Sequence, residues 1–184
     1  MSIFGNDPLK GKHIAVLATD GFEQSELEKP RKALQDAGAQ VDVVSLKSGS
    51  IKGWDQKDWG DKVKVDKTLD EARPTDYDAL VLPGGQMNPD VLRTEPKAVQ
   101  FAAEFVRAGK VVGAICHGPW LLVEADVVRG KNVTSWSSLQ TDIRNAGGQW
   151  EDAEVVIDGN LITSRNPDDI PAFNQALITK IGAK

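Results

Sequence analysis

The strongest candidate for covalent chemistry in this sequence is its single cysteine, Cys116. Residues 111–115, which precede it, are apolar and predict a strand buried on both faces of a sheet. Gly118 and Pro119 follow it and favour a tight turn leading into the first turn of a helix. Because the N–H groups at a helix N-terminus stabilise an anion, we expect this thiol to be pushed toward the thiolate. The pattern predicts a nucleophile.

The neighbours of Cys116 favour that interpretation over the alternative, a small buried hydrophobic cysteine. Ala114 and Gly118 reproduce the small-x-nucleophile-x-small spacing of a nucleophile elbow, in which small residues permit a strained turn. His117 follows directly, whereas the other histidine, His13, opens the first predicted strand. We therefore expect His117 to be the base if the thiol requires an imidazole.

Two other predicted strand ends carry residues suited to the same site. Glu23 and Glu26 begin the helix after the first strand, and a carboxyl group near Cys116 can orient the thiolate or accept its proton. The alternative for both is simple complementation of the helix dipole. Gly84 and Gly85 end another strand, and their N–H groups are candidates to bind a developing oxyanion, with a plain turn as the alternative.

The elements that position these residues alternate between strand and helix along almost the whole chain. Apolar runs predict strands at residues 13–18, 41–46, 79–82, 111–115, 131–134, 154–157 and 161–164. Helices are expected at residues 23–37, 97–108, 121–125, 139–146 and 168–181. This order predicts an α/β fold with a mostly parallel sheet covered by helices on both faces. In such sheets ligands bind beyond the carboxyl ends of the strands.

Residues 47–67 differ from this pattern, because short alternating stretches there predict a small hairpin or ribbon outside the main sheet. No linker, repeat or low-complexity block interrupts the sequence. We therefore expect residues 1–184 to form a single domain, with residues 1–11 as an N-terminal extension.

Composition narrows the classes of function. With 40% hydrophobic and 27% charged residues, the chain is typical of soluble globular proteins, and it contains neither a membrane-length apolar segment nor a signal-peptide core. The net charge of −5 argues against nucleic acid or an anionic membrane as the main partner. One cysteine allows no internal disulfide, which favours the cytoplasm. We expect no metal site and no cofactor, since no cluster of metal ligands is present.

Four motifs in this sequence resemble those of the PfpI family, a branch of the class I glutamine amidotransferase-like superfamily. They are AICHGP at residues 114–119, LPGG at 82–85, FEQSE at 22–26 and TSRNPDD at 163–169. The motifs occur in family order, and the resemblance extends over about residues 12–182. It implies a flavodoxin-like three-layer sandwich that assembles into homodimers, with hexamers as a further option.

The resemblance also implies roles for individual residues. Cys116 corresponds to the family nucleophile and His117 to its partner, while Glu23 and Glu26 correspond to two acidic residues near the thiol. Gly85 corresponds to an oxyanion donor, together with the amide of His117. Asp90 corresponds to an acidic residue that completes a triad from a neighbouring subunit in peptidase-like members; its alternative is a helix N-cap.

Four departures from the family pattern affect this interpretation. Asp90 stands where peptidase-like members commonly have Glu, and the loop at residues 86–88 is one residue longer. A shorter carboxylate on a longer loop disfavours an intersubunit triad. Trp120 replaces a more usual Gln, and Trp136 replaces a tyrosine that often borders the site. We expect these indoles to narrow the pocket for small or flat substrates, with core or interface packing as the alternative.

The resemblance implies a stress-related enzyme of deglycase, glyoxalase or peptidase type. We expect Cys116 to attack small α-oxoaldehydes such as methylglyoxal, or their adducts on protein or nucleotide groups. The second hypothesis is an oxidation sensor, since an activated thiol without a resolving cysteine can be oxidised to the sulfinic acid. Weak peptide hydrolysis and a binding or chaperone-like dimer are the remaining alternatives. The residues do not distinguish Glu23 from Glu26 as the partner of the sulfur.

Overall fold

A computed structural model describes residues 7–183 of the chain. Its main sheet has seven strands, in the spatial order β11 (Val156–Asp158), β12 (Leu161–Ser164), β8 (Val111–Ile115), β7 (Ala79–Leu82), β1 (His13–Leu17), β3 (Gln40–Ser45) and β6 (Lys67–Thr68). Neighbouring strands are parallel except for β11, which runs antiparallel to β12 at one edge. The prediction of a mostly parallel sheet is confirmed.

Helices cover both faces of the sheet. One face packs against α1 (Gln24–Asp36) and α6 (Ile170–Gly182), and the other against α2 (Met87–Leu92), α3 (Pro96–Arg107), α4 (Pro119–Glu124) and α5 (Gln140–Asn145). Short 3-10 helices lie at Pro74–Asp76, Ser137–Leu139 and Pro167–Asp169. The layers form the flavodoxin-like sandwich that the resemblance to the PfpI family implied.

Strand β1 shows how the sequence produces two separate cores. Ile14 and Val16 lie in the cluster that contains the buried residues of α1 and α6, whereas Ala15 and Leu17 lie in the cluster on the opposite face. Side chains alternate between the two faces of a strand, so a strand that is apolar at every position is buried on both.

Two small sheets stand apart from the main one. The first joins β2 (Phe22–Glu23), β4 (Ser50–Asp55) and β5 (Asp58–Lys64), and the second joins β9 (Asn132–Val133) and β10 (Gln149–Trp150). The predicted hairpin within residues 47–67 is confirmed as β4 and β5. Its parallel pairing with β2, directly before α1, was not predicted from the sequence.

The segment after Gly85 forms α2 instead of the expected loop. Asn88 holds this helix against the strand ends, because its side chain accepts the N–H of Thr19 and donates to the carbonyls of Pro83 and Gly84. Asp90 lies inside the first turn of α2. The N-cap of this helix, which was the alternative role for Asp90, is occupied by Gln86. That alternative is wrong.

Part of the predicted N-terminal extension packs against the domain. Residues 1–6 lie outside the described part of the chain, but Leu9 is fully buried and its N–H donates to the carbonyl of Ala37. Among residues 7–183, no helix combines the length and apolar character needed to cross a membrane.

Candidate active site

Cys116 occupies a strained turn between β8 and α4. Its φ of +62° lies in the left-handed region, which is uncommon for any residue other than glycine. The backbone is fixed on both sides, because the N–H of Cys116 donates to the carbonyl of Ser164 and its own carbonyl accepts the N–H of Trp136. This is the elbow geometry that the motif predicted.

His117 places a ring nitrogen beside the sulfur. Its Nδ1 lies 3.2 Å from Sγ of Cys116, within hydrogen-bonding distance for sulfur. Burial lowers the pKa of His117 below its ordinary value of 6.5, since the charged imidazolium loses hydration. The ring is therefore mainly neutral at pH 7 and can accept a proton from the thiol.

Glu26 presents a second proton-carrying group to the same sulfur. Its carboxyl is fully buried, with Oε1 accepting the N–H of Gly84 at 3.0 Å and Oε2 lacking a conventional hydrogen-bond partner. Burial, reinforced by the charge of Glu23, raises the pKa of Glu26 to about 8, against weaker opposing contributions from Gly84 and the Cys116 side chain. Glu26 is therefore mainly protonated at neutral pH.

The thiol of Cys116 is not activated by the helix alone. Its exposure is 7%, and burial, followed by the charge of Glu26, raises its pKa above the ordinary value of 9.0. The N–H groups of Gly85 and His117 act in the opposite direction. The pKa of the thiol is therefore shifted upward, opposite to the expected push toward the thiolate, with desolvation as the largest cause. Formation of the Cys116 thiolate therefore depends on the protonation states of His117 and Glu26.

The two glycines after β7 have different roles. The N–H of Gly84 is engaged by Glu26, so it is not available to the oxyanion site assigned to it from the sequence. A Cβ at Gly84 would lie 2.5 Å from Oε1 of Glu26 and 2.7 Å from Cβ of Cys116, which explains the need for glycine. Gly85 has a φ of +80°, and its N–H interacts with the Cys116 sulfur. Its oxyanion role stays a prediction.

The structure distinguishes the two glutamates. Glu23 accepts a hydrogen bond from the Ser25 hydroxyl at 3.1 Å, and burial raises its pKa. It lines the pocket in front of Cys116 but has no hydrogen bond to the sulfur within the described chain. Glu26 is therefore the carboxyl that pairs with the thiol.

Asp90 is not brought into this site. Its side chain is exposed on α2, and within residues 7–183 it forms neither a hydrogen bond nor an ion pair with His117. It is also absent from the walls of the pocket. One chain by itself thus contains a cysteine, a histidine and a buried carboxyl, without the predicted aspartate.

A pocket of about 790 Å³ opens in front of Cys116. Trp136 lines it, as predicted, but Trp120 lies behind His117 and is not part of the pocket wall. The sequence did not predict Trp54 and Gln56, which lie near the tip of the β4–β5 hairpin and also line the pocket. The tryptophan-rich composition of that hairpin was the available signal.

The described residues contain no group of three or more histidine, cysteine or acidic side chains arranged to hold a metal ion.

Comparisons with known proteins agree with this geometry. Residues 12–180 match the model of the DJ-1/PfpI family. The chain belongs to the DJ-1/PfpI family. Relatives include protein/nucleic acid deglycase 2 of Escherichia coli, which is 45% identical over 94% of this chain and 99% of its own length. General stress protein 18 of Bacillus subtilis is 44% identical, with coverage of 90% and 95% respectively.

The DJ-1/PfpI fold also appears in a solved two-domain protein from Anabaena variabilis that carries a DJ-1/ThiJ/PfpI-like and a ferritin-like domain. It superimposes with a TM-score of 0.88 and 38% identity, covering 93% of this chain and 48% of that one. The family assignment predicted from the four motifs is confirmed.

Proposed function

We propose that this chain is a stress-related enzyme that removes α-oxoaldehyde damage, with Cys116 as the nucleophile and methylglyoxal or its early adducts as substrate. The observation that carries the proposal is the pairing of Cys116 with two proton carriers, His117 at 3.2 Å and the buried Glu26, at the floor of an open pocket. The names of the deglycase and general stress relatives support the same class of function.

The first step is addition of the sulfur to the aldehyde carbon. Neutral His117 accepts the thiol proton, the S–C bond forms, and the aldehyde oxygen becomes an alkoxide that receives a proton to give a hemithioacetal. The N–H groups of Gly85 and His117, which interact with the sulfur in the free enzyme, are the candidates to bind this developing charge.

The second step is an internal oxidation and reduction. A base removes the proton from the former aldehyde carbon, an enediol forms, and a proton is returned to the adjacent carbonyl carbon. The aldehyde carbon is thereby oxidised to a thioester while the ketone carbon is reduced to an alcohol, so no external oxidant is needed. Glu26 suits this exchange because its pKa of about 8 allows it to hold or release a proton near neutral pH.

The third step is hydrolysis. Water adds to the thioester carbon, the S–C bond breaks, and lactate leaves with the thiol restored. For an adduct in which methylglyoxal is attached to an amine or thiol, the sulfur displaces that group from the same carbon before the second step. Glu23, beside the nucleophile in the pocket, is a further candidate to handle protons during these exchanges.

The proposal is tested by measuring lactate release from methylglyoxal with the parent chain and with Cys116→Ala. We expect the alanine variant to lose turnover to the background level, since no other cysteine exists. Lys32→Ala, a change on an exposed ion pair with Asp36, is the matched control and should retain turnover. Lactate release that persists in Cys116→Ala would contradict the proposal.

Oxidation sensing at the same thiol is the second candidate function. The observation that favours it is the unpartnered Oε2 of Glu26, since a protonated carboxyl there can donate a hydrogen bond to a sulfinate oxygen. Hydrogen peroxide would transfer one oxygen atom to the sulfur at each step and leave as water. Intact mass after mild peroxide treatment tests this function, and a mass unchanged at Cys116 would exclude it.

Assembly and location remain part of this proposal. We propose a homodimer, with a hexamer as the alternative, and location in the cytoplasm.

Peptide hydrolysis is disfavoured within one chain because no carboxylate orients His117 among residues 7–183.

A further inference from the structure

The imidazole of His117 has an unusual set of neighbours for a base. Within the described chain its only hydrogen bond is to Sγ of Cys116, and no carboxylate contacts either ring nitrogen. In cysteine–histidine sites the base is ordinarily held by a third polar group, which fixes the ring orientation. Something else must restrict the rotation of this ring.

Two indoles contact the imidazole from different directions. The Trp136 ring stacks on it at 22°, with centroids 5.9 Å apart, and the Trp120 ring meets it at 64°, with centroids 5.0 Å apart. Rotation of the imidazole about its own side-chain bonds would break the parallel contact and the edge contact together. The two tryptophans therefore fix the plane of the His117 ring, and within that plane the contact of Nδ1 with Sγ of Cys116 selects the orientation.

Trp120 is itself fixed by polar contacts on its far side. Its Nε1 donates to Oδ2 of Asp142 at 2.9 Å, and the guanidinium of Arg93 lies 5.5 Å from the indole centroid. Arg93 is in turn paired with Glu124 at 3.2 Å.

Trp136 is fixed through its backbone. Its N–H donates to the carbonyl of Cys116 at 2.9 Å, so the stacked indole is attached directly to the elbow that it serves. The indole of Trp120 and the backbone of Trp136 are thus held by contacts that do not involve the His117 ring.

We propose that Trp120 and Trp136 form an aromatic clamp that holds the plane of the His117 ring beside the Cys116 sulfur, where residues 7–183 supply no carboxylate to do so. Trp120 is a positioning residue, since it acts through His117 and does not line the pocket. Trp136 both positions the imidazole and borders the space for substrate. The clamp also limits the access of water to the ring, in agreement with the lowered pKa of His117.

The first test uses the two histidines of the chain as a probe and an internal reference. Their ring proton signals are followed by NMR from pH 5 to pH 8 in the parent and in Trp120→Leu. We expect the pKa of His117 to rise toward 6.5 in the variant, because water reaches the ring. Trp59→Leu, which changes an exposed tryptophan of the hairpin, is the matched control.

The second test measures the rate at which iodoacetamide alkylates Cys116. We expect Trp120→Leu to slow alkylation at pH 7 by about three- to tenfold, since a freely rotating imidazole leaves the sulfur for part of the time. Trp120→Phe, which retains an aromatic edge, should restore most of the rate. Asp142→Asn removes the charge from the exposed acceptor of Trp120 and so weakens that hydrogen bond, which should give a smaller change in the same direction.

Turnover adds a third readout. Trp120→Leu should lower kcat and leave KM for methylglyoxal within about twofold, because Trp120 does not border the pocket, whereas Trp136→Leu should change both. Unchanged His117 titration and alkylation in Trp120→Leu and Asp142→Asn would overturn the clamp. These two readouts need no turnover, so failure of the proposed enzymatic function would leave them informative.

Discussion

The two histidines of this chain lie at opposite ends of the strands of the main sheet, His13 at the amino end of β1 and His117 beyond the carboxyl end of β8, and their surroundings differ. At the amino end, Nε2 of His13 lies 2.9 Å from Oδ2 of Asp42, and the Tyr77 hydroxyl donates to the same oxygen at 2.9 Å. Asp42 is buried, and the His13 and Tyr77 rings lie 4.5 Å apart. By composition this histidine, carboxylate and tyrosine resemble a catalytic set.

At the carboxyl end the contacts are fewer and less complete. His117 has a sulfur partner and no carboxylate in residues 7–183, the Cys116 backbone is strained, and Oε2 of Glu26 is buried without a conventional partner. A pocket of about 790 Å³ makes Cys116 and His117 accessible to ligands. At the amino end, a cavity of about 330 Å³ is lined by Tyr77 but by neither His13 nor Asp42. Satisfied polar groups stabilise a fold, and unsatisfied ones mark chemistry.

The largest expected effect comes from removing the proton of the unsatisfied carboxyl. We expect Glu26→Gln to lower kcat/KM for methylglyoxal by roughly 10²- to 10⁴-fold, since the amide preserves the shape but cannot exchange protons with the sulfur. Steady-state lactate release is the measurement. Glu23→Gln, at the more exposed position, should cost less than tenfold. A larger loss for Glu23→Gln than for Glu26→Gln would reverse our assignment of the sulfur's partner.

Substitutions in the cluster of His13, Asp42 and Tyr77 should change the stability of the fold and leave the enzymatic activity unchanged. Asp42→Ala leaves the Tyr77 hydroxyl and the His13 ring without their shared acceptor, which we expect to lower the free energy of unfolding by about 1–3 kcal/mol. Urea denaturation measures this change, and turnover at 25 °C should stay within about twofold of the parent. A loss of turnover in a fully folded Asp42→Ala protein would contradict the purely structural role that we assign to the His13 cluster.

A dependence of stability on pH should also originate at Glu26, at the carboxyl end of the strands. Glu26 has an ordinary pKa of 4.5 and a folded pKa of about 8, so the folded state binds more protons between those values. Stability should therefore decrease as pH rises from about 4.5 to about 8, by at most about 1.4 kcal/mol per pH unit from this group. Denaturation midpoints across this range should decline less in Glu26→Gln. An equal decline in both proteins would assign the dependence to other groups.

Much of the fold follows from local sequence patterns. The apolar strand before Cys116, the small residues on either side of it and the succession of strands and helices were sufficient to predict the sheet, the elbow and the edge at which the site lies. These features depend on side-chain periodicity and turn chemistry, which short stretches of sequence carry.

The remaining features depend on contacts between distant segments. Glu26 accepts a hydrogen bond from the N–H of Gly84, which is 58 residues away in the sequence. For this reason the sequence could not show which glutamate lies beside the sulfur, and it could not exclude Gly84 as an oxyanion donor. Trp120 was expected in the pocket, but its side chain turns toward Asp142 on another helix. The cluster of His13, Asp42 and Tyr77 joins three separate strands or loops and was not predicted.

The hairpin of β4 and β5 separates the shape of the pocket from its reactivity. Its backbone pairs with the two-residue strand β2, which contains Glu23 and directly precedes the helix that carries Glu26. Trp54 and Gln56, near the tip of the hairpin, line the pocket. Because the hairpin is attached through main-chain hydrogen bonds, the identity of the side chains at Trp54 and Gln56 is little constrained by that attachment. Substitutions at the hairpin tip offer a route by which related or engineered proteins acquire new substrates while the nucleophile and its proton carriers stay in place.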